Sequence, residues 1–119
     1  MKTVLIVDDK NVQIKTLRRV LRTRGFQVVE ATNGNQALDH LGKIETIDIV
    51  ITDYAMPEMN GIELLQKIRE TNKTVPVILM TAYGDKELVI EAMNYRCNGF
   101  IDKPFEIDEL LGIINKYDC

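Results

Sequence analysis

The stretch Leu5-Ile6-Val7-Asp8-Asp9-Lys10 decides how this chain is read. Large apolar residues run directly into two adjacent carboxylates. An unbroken apolar run is what a strand covered on both faces requires. Neighbouring carboxylates raise each other's pKa and resist ionising together unless a cation compensates them. The stretch therefore reads as a buried strand ending where a positive charge is wanted. Taken alone it equally fits a solvated strand-to-helix turn, with an Asp capping the next helix. The surroundings decide between the two.

Working outward, short apolar runs at 4–7, 26–31, 47–52, 75–80 and 99–101 alternate with helical patterns at 12–24, 36–43, 61–71, 86–94 and 107–117. Strands alternating with helices of this size imply βαβ units with right-handed crossovers and a parallel sheet. The last helix carries Ile107, Leu110, Leu111, Ile114 and Tyr117 on one stripe, and the first carries Ile14, Leu17, Val20 and Leu21. The other side of the first helix is basic, with Lys15, Arg18, Arg19, Arg22 and Arg24, which is a solvated face or a docking face for an acidic partner. Gly25 is expected to stop the first helix, Asn33-Gly34 to form a turn, and Asn60 with Glu63 to form a capping box. The 4–7 and 75–80 runs are continuously apolar, whereas 26–31 contains Gln27 and Glu30 and 99–101 is short, so these last two read as edges. The expected fold is α/β: a doubly wound, flavodoxin-like, five-stranded parallel sheet in the order 2-1-3-4-5 with five helices.

A chain of 119 residues, 45% hydrophobic and 28% charged, fits one globular domain over 1–119. No apolar run approaches a membrane span and no secretory signal is visible, so membrane association is not expected and the cytoplasm is the default location. A net charge of −3 argues against direct nucleic-acid binding. Cys97 and Cys119 have no metal-ligand spacing and read as reduced thiols; His40, the only histidine, reads as a helix surface residue.

In the order 2-1-3-4-5, strands 1, 3, 4 and 5 are consecutive neighbours about 4.8 Å apart. Their carboxyl ends deliver Asp8-Asp9, Asp53, Thr81 and Lys103-Pro104 to the switch point where such sheets gather functional groups. Clustered carboxylates without His or Cys select a hard cation, Mg²⁺ or else Mn²⁺ or Ca²⁺. With a nucleophilic carboxylate, a lysine and a hydroxyl, the set suits phosphoryl transfer to an aspartate. A single such group means little. One from each of four adjacent strand ends is specific.

Through "VLIVDD", "ITDYAMPEMNG", "VPVILMTAYG" and "FIDKPF", essentially the whole chain resembles the receiver domain of two-component response regulators, chemotaxis messengers included. The resemblance implies that Asp53 is the phosphoacceptor and that Asp9 and Asp53 are side-chain ligands of Mg²⁺. It implies that Asp8 acts largely through water and that Ala55 offers its backbone carbonyl to the metal. Thr81 resembles the switch hydroxyl, Lys103 the phosphate-pairing lysine and Phe100 the switch aromatic, here without a hydroxyl. Lys103-Pro104 would carry the family's cis peptide, and X-Pro is the one bond type for which cis is cheap. The implied partners are a histidine kinase or histidine phosphotransferase upstream and an effector that reads the fourth helix, fifth strand and fifth helix. Such a receiver assists its own phosphorylation and dephosphorylation without being an enzyme on a free substrate.

Two departures stand out. Arg96-Cys97 replaces the small pair, such as Gly-Ala, that the family often has there, and Ala55 and Tyr83 occupy positions that tune phosphoryl lifetime in similar proteins. Two other classes remain as alternatives. A haloacid-dehalogenase-like phosphotransferase would place its nucleophile on strand 1 with a second Asp two residues on, but Asp8 is followed by Asp9 and Lys10, and Asn11 lies two beyond Asp9. A flavodoxin-like FMN carrier would need a Ser/Thr/Gly-rich phosphate loop where this chain has two anions. Within the family, nothing after Tyr117 resembles a linker or effector, so a stand-alone messenger is favoured over a domain of a larger regulator or hybrid kinase.

Overall fold

The structure is a computed structural model and describes residues 2–72, 74–82 and 86–117. Tyr83 and Cys119 lie outside the described residues. Strands β1 (Thr3–Val7), β2 (Gln27–Ala31), β3 (Ile47–Asp53), β4 (Val77–Ala82) and β5 (Gly99–Lys103) alternate with helices α1 (Asn11–Thr23), α2 (Gly34–Lys43), α3 (Gly61–Thr71), α4 (Lys86–Asn94) and α5 (Ile107–Asn115). All pairings are parallel, and the order is β2-β1-β3-β4-β5. The expected topology is the observed one, edges included.

Strand alternation divides the core into two layers. Leu5, Val7, Val50 and Leu79 face Leu64, Leu65 and Ile68 of α3 together with Leu88 and Ala92 of α4. Val4, Ile6, Ile51, Met80 and Ile101 face Ile14, Leu17 and Leu21 of α1 and Leu110, Leu111 and Ile114 of α5. Val20, assigned to the apolar stripe of α1, is only half-buried. Asn60 and Glu63 make the expected reciprocal cap, with Glu63 N donating to Asn60 Oδ1 at 2.9 Å and Asn60 N to Glu63 Oε1 at 3.0 Å. Gly25 stops α1 at φ +90°, a backbone that suits glycine. Asn33-Gly34 is not a free turn. Asn33 Oδ1 accepts from Gln36 N at 2.8 Å, so Asn33 caps α2 and Gly34 is already helical.

Two strands depart from the apolar runs that mark them. The ladder of β4 starts at Val77, two residues later than its run, because Pro76 has no N–H to give. It runs on to Ala82, and β5 continues past Ile101 to Lys103. Backbone pairing does not need apolar side chains, so Asp102 and Lys103 sit inside the sheet, opposite Thr81 and Ala82.

One glycine fixes how α3 meets the strand ends. A Cβ on Gly61 would lie 2.6 Å from the Asp53 carbonyl oxygen and 2.6 Å from Leu79 Cδ1. Gly61→Ala is therefore expected to cost about 1–3 kcal/mol, the usual scale of overpacking, because backbone cannot move aside cheaply. Chemical denaturation measures it, and a midpoint equal to the parent's would show that β3 and α3 separate freely.

Candidate functional site

The site is assembled from strand ends. Asp8 follows β1 directly; its N–H donates to the Ala31 carbonyl at 3.1 Å, and its Oδ1 accepts from Lys10 N at 2.9 Å. These bonds fix a carboxylate that is 0% exposed. Asp53 closes β3 at 3% exposure. Lys103 closes β5 and reaches across β4, so that its Nζ donates to Asp53 Oδ1 at 2.9 Å and lies 3.8 Å from Asp8 Oδ2. Asp9 is exposed at the mouth. Asp8, Asp9 and Asp53 each bring an oxygen within 4.8 Å of the others. Lys103 is thus one cation that the paired acids of the opening stretch require, set against three carboxylates.

That balance leaves negative charge in excess. Burial pushes the Asp8 carboxyl above its ordinary value; the Lys10 N–H opposes this, Asp53 adds to it, Lys103 opposes it and Asp9 adds to it. Asp8 Oδ2 is buried with no hydrogen-bond partner. A buried acceptor left unpaired costs about 1–3 kcal/mol, and a divalent cation would relieve both defects at once. An octahedral Mg²⁺ holds ligands at about 2.0–2.1 Å, so opposite ligands stand about 4.2 Å apart, within the spread of these oxygens. The donor set fits a hard cation.

The raised pKa also sets a pH dependence. The native state holds the Asp8 proton more tightly than the unfolded chain does. Its contribution is complete below the ordinary Asp value and is lost as pH rises through the raised one. Asp8→Asn is therefore expected to make the metal-free protein more stable at neutral pH, by about 1–3 kcal/mol, and to flatten that pH profile. Denaturant titrations in chelator at several pH values measure both, and a destabilised variant would mean that the Asp8 charge is well compensated.

Thr81 is placed differently from the convergence expected of it. It is 2% exposed, and its hydroxyl donates to Asp102 Oδ1 at 3.0 Å. Alternation puts Thr81 on the α3/α4 side with Leu79, whereas Asp53 and Lys103 share the α1/α5 side with Ile51 and Ile101. Phe100 is half-buried on the Thr81 side, packed against the α3/α4 layer. The Lys103-Pro104 peptide is cis. Ala55 is exposed two residues beyond Asp53.

Two further residues are not marked by the sequence patterns. Asp102 escapes because the apolar run ends at Ile101; a strand continued to Lys103 places it opposite Thr81. Arg69 is buried in α3, and its presence on the apolar side beside Leu65 and Ile68 is the available signal. Where Gly-Ala is common, Arg96 adopts φ +61°, a left-handed backbone uncommon for non-glycine residues.

Compared with known proteins, residues 4–115 match the response regulator receiver domain. The chain is 38% identical over 114 residues to sporulation initiation phosphotransferase F of Bacillus subtilis, covering 96% of this chain and 91% of that protein. It is 38% identical over 113 residues to the regulatory protein AtoC of Escherichia coli, where 95% of this chain corresponds to 24% of the relative. Among solved structures, the chemotaxis protein CheY4 of Vibrio cholerae superimposes with a TM-score of 0.93 at 28% identity over 98% of each chain. No helix among the described residues is long and apolar enough to cross a membrane. Motifs, strand order and acidic pocket agree with these likenesses: the chain belongs to the response regulator receiver domains.

Proposed function

We propose that this chain, as a single receiver domain over 1–119, takes a phosphoryl group onto Asp53 from a phosphohistidine partner in a Mg²⁺-dependent reaction. The partner is a histidine kinase or histidine phosphotransferase, and the result is read by an effector at the α4–β5–α5 face. The observation that carries the reading is the 2.9 Å contact of Lys103 Nζ with Asp53 Oδ1, beside the Asp8 and Asp9 carboxylates.

In the step itself an Asp53 carboxylate oxygen attacks phosphorus, the P–N bond to the donor imidazole breaks, and the imidazole leaves with the bonding pair. Lys103 orients the nucleophile beforehand and pairs with a phosphoryl oxygen afterwards. Asp8 and Asp9, with Asp53 and the Ala55 carbonyl, would hold the cation, which when bound neutralises phosphoryl oxygens. The Thr81 hydroxyl takes another oxygen after turning inward. Removing it from its present position opens space beside β5 into which the Phe100 ring rotates, and this remodels the output face. The role is that of a phosphoacceptor in the cytoplasm, not an enzyme acting on a free substrate. Both arrangements occur among the relatives: the Bacillus protein is matched over 91% of its length and AtoC over 24%.

The test is incubation with acetyl phosphate and Mg²⁺. One phosphoryl group per chain, released by hydroxylamine and absent when chelator replaces the metal, is the expected result. Stable or multiple incorporation would contradict an acyl phosphate at a single carboxylate.

A further inference from the structure

Thr81 and Asp102 are direct partners in the β4–β5 ladder, so their side chains leave the sheet on the same face. The Thr81 hydroxyl has one proton to give, and it gives it to Asp102 Oδ1 at 3.0 Å. A hydrogen bond to an ionised acceptor is stronger than one to a neutral group. The neighbouring residue of the same strand, Lys103, points to the opposite face and holds Asp53. Consecutive residues of β5 thus hold the phosphoacceptor and the switch hydroxyl on opposite sides of the sheet. Any group on Asp53 that recruits the hydroxyl must first break the bond to Asp102.

We propose that Asp102 is a positioning residue that holds the Thr81 hydroxyl away from Asp53 and so sets the threshold for switching, an inference that rests on Thr81 being the hydroxyl recruited by the phosphoryl group. Asp102 is exposed, whereas Thr81 is enclosed. The acceptor can therefore be changed without disturbing the core. Because the acceptor stays solvated, its hold is moderate, which suits an equilibrium that a phosphoryl group has to reverse. Asp102 touches neither the reacting oxygen nor the acids and acts only through the rotamer of Thr81. Phe100 lies two residues earlier on the same face of β5, opposite Leu79, so its ring shares that face with Thr81 and Asp102.

The first arm of the test needs no phosphorylation. Three-bond NMR couplings from Thr81 Cγ2 to backbone N and C′ report its χ1 rotamer in the unmodified protein. Asp102→Ala is expected to raise the inward rotamer about three- to tenfold relative to the parent, the net scale of one ordinary hydrogen bond, as solvation of the exposed acceptor implies. Asp102→Asn, which keeps a neutral acceptor oxygen, should fall between the two.

The second arm follows the rate of labelling by acetyl phosphate with Mg²⁺. Asp102→Ala should label several-fold faster in the parent background and show no gain in a Thr81→Val background. Unchanged couplings in Asp102→Ala overturn the proposal. So does a gain in labelling that survives in Thr81→Val, since that would be the loss of a nearby negative charge and not the release of a hydroxyl. A parent that is not labelled at all refutes the phosphoacceptor reading, while the couplings still decide whether Asp102 positions Thr81.

Discussion

Asp53→Asn is expected to abolish phosphoryl incorporation from acetyl phosphate while the chain stays folded. The amide has nearly the shape of the carboxylate, so packing at the end of β3 survives. What is lost is the anionic oxygen that the proposed reaction uses to attack phosphorus, and the rate is expected to fall to the background of other carboxylates. Asp8 is no substitute: it is buried, with one oxygen tied to the Lys10 N–H. Asp9 is exposed and stands apart from Lys103's 2.9 Å grip on Asp53. The substitution also removes one charge from an overfilled cluster, so the metal-free variant is expected to be at least as stable as the parent. Intact-mass measurement after incubation reads the first expectation and thermal denaturation the second. Labelling of the variant at the parental rate would move the phosphoacceptor elsewhere.

The sequence is informative wherever side-chain chemistry and backbone role coincide. Val4, Leu5, Ile6 and Val7 are apolar because β1 is buried on both faces, and burial on both faces also makes a strand central. Asp8, Asp9 and Asp53 are brought together by topology alone, since each stands at the carboxyl end of β1 or β3 and those strands are paired. Reading fails where the two roles part. Asp102 and Lys103 are polar yet belong to the ladder, so a strand traced by apolarity ends too soon. The direction of the Thr81 hydroxyl is a rotamer, and its deciding partner lies 21 residues away in sequence. Asn33-Gly34 has a turn's composition, but the Asn33 side chain caps α2 and the chain enters the helix at once.

Arg69→Met is expected to be the most destabilising of these substitutions, and the reason lies at the end of the sheet opposite the acids. Arg69 is 6% exposed and, among the described residues, has no carboxylate partner. Its Nη1 donates to the carbonyls of Asn72 at 3.2 Å and Val75 at 2.8 Å. Its Nη2 donates to the Arg96 carbonyl at 2.8 Å and to Asn98 Oδ1 at 2.9 Å. One planar group thereby joins the end of α3, the approach to β4 and the loop between α4 and β5. Burial pushes the guanidinium below its ordinary pKa and the Arg96 charge adds to this, with Cys97 opposing, yet the group stays protonated at neutral pH because arginine begins so high. The carbonyls around it, including those leaving the C-terminus of α3, supply the negative potential that a carboxylate otherwise would. Methionine fills similar volume but donates nothing, so several acceptors lose a partner at once. Each such loss costs about 1–3 kcal/mol, and neighbouring losses do not add fully; a total of about 3–5 kcal/mol is expected. Arg69→Lys should recover part of it, because an ammonium carries the charge but cannot span the same acceptors in one plane. Phosphorylation of the fraction that remains folded should proceed at the parental rate, since Arg69 lies far from Asp53. Denaturant unfolding of both variants beside the parent gives the free energies. A cost below about 1 kcal/mol for the methionine variant would mean that water replaces the guanidinium, and that Arg69 fills space there without joining the segments.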